Sequence, residues 1–173
     1  DNLDGAASGS VAIISMGLLI VSFLPGQEMV AALSLVMAGA TLGFLIWNKS
    51  PAKIYMGDAG ALFLGVLLAT LTIRLRPDSD TQIGSYFTPI FLLAIAILDT
   101  SVAVISRISR HISPFQGGQD HLSHRLVRAG LSRKQAATTL WGLSALYSAV
   151  AIFISRPDAS IENYLVISAG LLW

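Results

Sequence analysis

A chain of 173 residues with 54% hydrophobic and 12% charged residues, at a mean hydropathy of +0.69, carries about half the charge of an ordinary soluble domain. That excludes a water-soluble globular enzyme. The net charge of +1 gives no ground to expect a nucleic-acid partner, and the lack of cysteine excludes disulfides and thiolate metal sites.

Apolar runs long enough to approach a bilayer's thickness, roughly 17–25 residues, recur in chain order. They are Val11–Leu24, Met29–Trp47, Ala61–Ile73 (extendable toward Gly57 and Leu75), Tyr86–Ser106, Ala136–Ser155 and Tyr164–Trp173. The first is short and the last is cut off by the chain end. No β-barrel alternation is present, so the expected fold is all-α, a polytopic transmembrane helical bundle of about six spans. Residues 1–173 form a single integral membrane domain, in which the segment 107–134 is a basic loop too short to be a domain of its own. Ala38, Gly39, Ala40 and Gly43 in the second run are expected to let a neighbouring helix approach closely.

Charge orients the bundle. Lys49 and Lys53 fall in one loop; Arg107, Arg110, Arg125, Arg128, Arg133 and Lys134 fall in another, two spans later. Of the eleven Lys and Arg residues, only Arg74, Arg76 and Arg156 lie on the opposite face. The positive-inside rule makes the basic side cytoplasmic, in a multi-pass plasma-membrane protein. The first ten residues are polar and glycine-rich, so no signal peptide is expected.

The unusual polar residues gather on that same side. Asp1, Asn2 and Asp4 precede the first span, Asn48 ends the second, Asp58 opens the third, and His121, His124 and Arg125 sit in the basic loop. Asp58 lies between Gly57 and Gly60, at the lip of a run without charge. It either caps the helix or, facing water, holds a divalent metal against phosphates. Asp1 and Asp4 share one side of a helical turn, or act as an N-terminal cap. Asn48 reads as a helix stop and Tyr55 as an interface anchor, although an exposed ring there can also stack on a base. His121 and His124 have metal-compatible spacing, yet the cationic Arg125 beside them suits a phosphate or pyrophosphate better. Contact of this loop with anionic lipid is the alternative. Asp99 lies within the fourth span and is expected to face the bundle interior or a water-filled cleft, holding helices together, with a functional role as the alternative.

Four stretches carry a resemblance. DNLDG at Asp1–Gly5, FLIWNKSPAKIYMGDAGALFLG at Phe44–Gly65, ILDTSVAVISRI at Ile97–Ile108 and SPFQGGQDHLSHRL at Ser113–Leu126 stand in order and on one side. In these the chain resembles the polyprenyl-phosphate N-acetylhexosamine-1-phosphate transferases, the MraY/WecA-type enzymes of glycosyltransferase family 4. The resemblance implies transfer of a sugar-1-phosphate from a UDP-sugar to a polyprenyl phosphate, with release of UMP, for cell-envelope polysaccharide synthesis. It makes Asp58 a ligand of Mg²⁺, for which Mn²⁺ is the substitute, and sets Asn48 beside the metal and phosphates. Asp1, Asn2 and Asp4 would line the nucleotide pocket, Tyr55 would lie against uracil, and His121, His124 and Arg125 would bind the diphosphate or sugar. Partners are the UDP-sugar, the polyprenyl phosphate and the bilayer; a homodimer is a possible assembly.

Two departures accompany the match. The family's Asp-Asp motif precedes the region that this chain covers, so the chain is expected to be a C-terminal portion, inactive alone. Ser123 stands where many members have a histidine, which with the Asp-Thr pair at Asp99 and Thr100 points to the WecA-like branch and N-acetylglucosamine. A membrane transporter and a structural or inactive remnant of the family are the competing readings.

Overall fold

The computed structural model describes residues 3–77, 82–115, 118 and 120–156. Among these residues there are seven helices and no strand: α1 (Ala6–Phe23), α2 (Glu28–Asn48), α3 (Gly57–Arg74), α4 (Gln82–Leu92), α5 (Ala94–Ser109), α6 (Leu122–Arg128) and α7 (Arg133–Ile154). Four of them (α1, α2, α3 and α7) are long and apolar enough to cross a membrane, and α4 with α5 makes a fifth crossing if counted as one bent span. The protein is an all-α polytopic membrane protein. The run expected at Tyr164–Trp173 lies outside the described residues.

The helices start and stop where local chemistry allows. α1 ends in a turn where Gly26 takes φ 73°, and the Gln27 and Gly26 N–H groups return to the Ser22 and Phe23 carbonyls. That turn satisfies carbonyls the helix end would otherwise expose and folds α2 back along α1. α6 closes the same way through Gly130, and α5 does so through His111, which takes φ 56° without being glycine. At the start of α7, Ser132 accepts from the Gln135 N–H at 3.3 Å while the Gln135 side chain accepts from Ser132 N–H at 2.9 Å, a reciprocal cap.

α1 is the central helix: 61% of it is buried, against 33% of α2 and α7 and 17% of α3. Its small residues permit this. A side chain at Gly9 would overlap the Trp141 indole, and one at Gly17 would press on Leu92 and Ser148. The expectation for α2 needs correction. Ala38 is buried, but Gly39, Ala40 and Gly43 are exposed, and no neighbour lies within 4 Å of a Cβ built at Gly39 or Gly43. Small residues matter where backbones meet, and here those are on α1. The main apolar core joins Ile14, Leu18 and Val21 to Val30, Met37, Leu68, Leu71 and Leu92. Several helix hydroxyls turn back on the preceding turn, as Ser22 does on Leu18 O and Thr72 on Leu68 O, whereas the buried Ser34 and Ser148 hydroxyls have no hydrogen-bond partner among the described residues.

The fourth apolar run is not one straight span. α4 and α5 meet at Leu93 with a bend of 68°. Pro89 inside α4 has no N–H to continue the ladder, and the helix ends within a turn of it.

Candidate functional site

One end of the bundle collects the start of α1, the end of α2, the start of α3, the second half of α5, α6 and the start of α7. At this end Gly5, in the left-handed region at φ 74°, is a hub. Its N–H donates to Asn48 Oδ1 at 3.1 Å, and its carbonyl accepts from Trp141 Nε1 at 3.0 Å. A residue with a Cβ would be strained there and would crowd Leu45 and Lys49.

Asn48 is fully buried and ties three segments together. Its Oδ1 also accepts from Ser8 Oγ at 2.7 Å, and its Nδ2 donates to Ile54 O at 3.0 Å. The oxygen's two acceptor sites and one of two amide hydrogens are thereby used within the protein. Asp4, half-buried, accepts from the Ala52 N–H at 3.2 Å. The loop between α2 and α3 is thus held at Ala52 and Ile54, and Lys53 rests over the Trp47 ring at 5.2 Å. Tyr55 projects from this loop, 74% exposed. Asp1 and Asn2 lie outside the described residues.

The held loop delivers Asp58 to the first turn of α3. The helix cap is Met56, not Asp58, and among the described residues no hydrogen bond or ion pair engages the exposed Asp58 carboxylate. The capping role is therefore set aside. Gly57 takes φ 68°, a conformation that suits glycine at the turn into the helix. Among the described residues no three His, Cys, Asp or Glu groups stand together as a protein-only metal cage. A single free carboxylate is nonetheless the donor set that Mg²⁺ accepts when phosphate oxygens and waters complete its shell, so Asp58 fits that ion.

The basic loop is organised by two carboxylates. Asp120 is buried and accepts from Arg107 Nε at 3.2 Å and from Arg110 Nη2, while Arg107 Nη1 donates to Pro114 O at 2.7 Å. Burial by itself raises the Asp120 carboxyl. Arg107's hydrogen bond and the charge and hydrogen bond of Arg110, with Arg107's charge, outweigh it and hold Asp120 below the usual carboxylate range. Arg125 Nε donates to the Asp120 carbonyl at 3.1 Å. A Cβ at Gly118 would stand 2.9 Å from Asp120 Oδ2, so the tight pin requires glycine.

Asp99 holds the other side of the loop. Its Oδ2 lies 2.7 Å from His121 Nδ1, and its Oδ1 accepts from the Leu122 N–H at 2.6 Å. Asp99 thus ties α5 to the entry of α6, through the cap residue His121 and the first helical residue Leu122, and its side chain is 31% exposed. Asp99 and Ser123 line a cavity of about 220 Å³ with Ala6, Ala7 and Ser10 of α1. His124 is half-buried and makes no hydrogen bond. The structure therefore joins Asn48 with Asp4's loop, and His121 with Arg125's loop. It brings no side-chain contact between Asp58 and the histidines. Asp99's hold on His121, Trp141 and the Arg107–Asp120 pair were missed; the acid-bearing Asp-Thr helix close before a histidine loop was the available signal for the first.

The sequence model described as "Glycosyl transferase family 4" matches residues 1–76, which include the α1 start, Asn48 and Asp58. The chain is similar to the "Probable undecaprenyl-phosphate N-acetylglucosaminyl 1-phosphate transferase" of Bacillus subtilis (strain 168), at 34% identity over 96% of this chain and 46% of that protein. It is also similar to the "Decaprenyl-phosphate N-acetylglucosaminephosphotransferase" of Mycolicibacterium smegmatis, at 36% identity over 99% of this chain and 48% of that protein. A "Phospho-N-acetylmuramoyl-pentapeptide-transferase" of Chlamydia muridarum is 34% identical over 88% of this chain and 44% of that protein. The chain spans about half the length of these curated relatives. By that match and these alignments, the chain belongs to glycosyl transferase family 4.

Proposed function

We propose that this chain forms part of a transferase that moves a sugar-1-phosphate from a UDP-sugar to a polyprenyl phosphate. The observation that carries the reading is the free Asp58 carboxylate, presented by a loop pinned at Ala52 and Ile54, at the bundle end that also holds the histidine loop. An oxygen of the lipid phosphate attacks the β-phosphorus of the UDP-sugar. The bond from that phosphorus to the bridging oxygen breaks, UMP leaves, and a lipid pyrophosphoryl sugar remains.

Negative charge gathers on the diphosphate as this proceeds, and positioned donors stabilise it most where water is excluded. His124 and Arg125 supply such donors from the loop, beside His121, while Asn48 and Asp4 fix the segment that carries Tyr55 and Asp58. Tyr55, open to solvent, offers a face for the uracil, and Asp1 and Asn2 belong to the same nucleotide pocket. Mg²⁺, or Mn²⁺ in its place, would be held by Asp58 with phosphate oxygens and would neutralise charge on the diphosphate. N-acetylglucosamine is the sugar we favour: Ser123 breaks the histidine run, and two of the three relatives above are named for that sugar. Eight of the Lys and Arg residues flank this end of the bundle, which makes it the cytoplasmic side of a plasma-membrane protein. Cross-linking in membranes tests the homodimer.

The deciding assay is UMP release by the full-length protein with UDP-N-acetylglucosamine and polyprenyl phosphate. Asp58→Asn should lower turnover by about 10²-fold or more and remove its response to added Mg²⁺. An unchanged rate would overturn the metal assignment, and sugar flux into liposomes without UMP release would overturn the transferase reading.

A further inference from the structure

Asp99 uses both carboxylate oxygens on two adjacent groups at the entry to α6. Oδ1 takes the Leu122 N–H at 2.6 Å, and Oδ2 faces His121 Nδ1 at 2.7 Å. An ionised carboxylate only accepts hydrogen bonds, so Nδ1 must carry the hydrogen and the lone pair of a neutral ring must lie on Nε2. The two arginines nearest in sequence, Arg107 and Arg110, are committed to Asp120 instead. Among the described residues, His121 is therefore the only ionic partner of Asp99. Both side chains remain partly open, 31% for Asp99 and 28% for His121, which a purely internal tie between helices would not require.

We infer that Asp99 is a positioning residue for His121, fixing the imidazole in its Nδ1–H tautomer so that Nε2 is offered as an acceptor to a hydroxyl or protonated phosphate oxygen of the substrate. This rests on the placement of His121 in the transferase site proposed above. A structural tie alone needs only an acceptor for the Leu122 N–H, and an amide would serve. Fixing the tautomer needs a second acceptor facing Nδ1, and here each donor has its own carboxylate oxygen, where an amide would set an NH₂ against one of them. In Asp99→Asn, Oδ1 can still take Leu122, but the amide NH₂ then faces His121 Nδ1. The ring responds by accepting there and moving its hydrogen to Nε2. The shape is kept while the chemistry of the presented atom is inverted.

The test combines ¹⁵N NMR of histidine-labelled protein with kinetics of the full-length protein. The wild type should show His121 protonated at Nδ1 when neutral, and Asp99→Asn should show it at Nε2. Turnover of Asp99→Asn should fall by about 10²-fold, with KM for the UDP-sugar changed far less. In a His121→Ala background, Asp99→Asn should cost nothing more, since both changes act through one group. A wild-type ring protonated at Nε2 overturns the inference without need of any variant. So does full activity of Asp99→Asn, or a further loss in the double variant. If the wild type releases no UMP while the tautomer still inverts, the reaction reading fails, and with it the phosphate role, but Asp99's control of His121 stands.

Discussion

Replacing Asn48 with Ala separates a residue that builds the site from one that touches the substrate. Asn48 is fully buried, and its three hydrogen bonds join α1, α2 and the loop that leads to Asp58. In Asn48→Ala the Gly5 N–H loses its acceptor in a buried place, at a cost of about 1–3 kcal/mol. Ser8 can fall back on the Gly5 carbonyl, 3.5 Å away, so its loss is small. The Ile54 carbonyl is partly exposed and recovers water, which limits its share to about 0.5–1 kcal/mol. The sum, about 2–4 kcal/mol, corresponds to a fall in Tm on the order of 10 °C for a protein of this size. Thermal unfolding in detergent micelles measures it, and limited proteolysis should show the loop between α2 and α3 cut sooner. An unchanged Tm and an intact loop, combined with lost turnover in the full-length protein, would refute this reasoning and put Asn48 on the ligand.

Three further outcomes follow from the geometry. Gly9→Ala forces Trp141 off α1 and should cost about 1–3 kcal/mol in the same unfolding assay, whereas Gly43→Ala, with no neighbour in reach, should be neutral or slightly stabilising. Asp120 has a folded-state pKa below its unfolded value, so its contribution is complete above the ordinary Asp range and lost as pH falls through the lowered value. Hydrogen exchange in the loop between α5 and α6 should therefore accelerate only below about pH 4 in the wild type, and Asp120→Asn should show fast exchange at neutral pH as well. His111→Gly relieves a left-handed side-chain-bearing residue at the end of α5 and should raise stability by up to about 1 kcal/mol; a lower Tm would count against that strain.

Much of the architecture was legible because its causes are local. Long apolar runs and the placement of Lys and Arg are properties of single segments, and α1, α2, α3 and α7 overlap the runs that marked them. The bend at Leu93 was not recovered because Phe91–Leu98 around it is uniformly apolar, and a single Pro89 barely changes the hydropathy of the run. Small residues misled for a related reason. Both α1 and α2 contain them, and which helix occupies the centre depends on the packing of all the others. Asp99 was placed on the correct helix, but its partner was not read. Sequence fixes its depth along α5, whereas the loop that folds back to meet it returns 22 residues later.

At the polar end of the bundle, the described acids divide by what they touch, and the division matches what chemistry asks of each. Asp4, Asp99 and Asp120 have N–H partners supplied by the protein, from Ala52, from His121 and Leu122, and from Arg107 and Arg110. A carboxylate so engaged gives part of its acceptor capacity to holding the protein's own geometry, and turning those oxygens to a ligand would mean weakening bonds already made. Asp58 alone among these four has no partner among the described residues, and it sits in the first turn of α3 behind a loop whose backbone is pinned by Asn48 and Asp4. A group that must exchange water for phosphate and metal has to be held through its backbone and left free at its side chain, as Asp58 is. Substitutions that remove the bonding oxygens of the engaged acids, such as Asp4→Ala or Asp99→Ala, should therefore register in unfolding or hydrogen exchange as well as in rate. Asp58→Asn should leave the melting curve of the ligand-free protein in place and change only what happens when substrate and Mg²⁺ arrive.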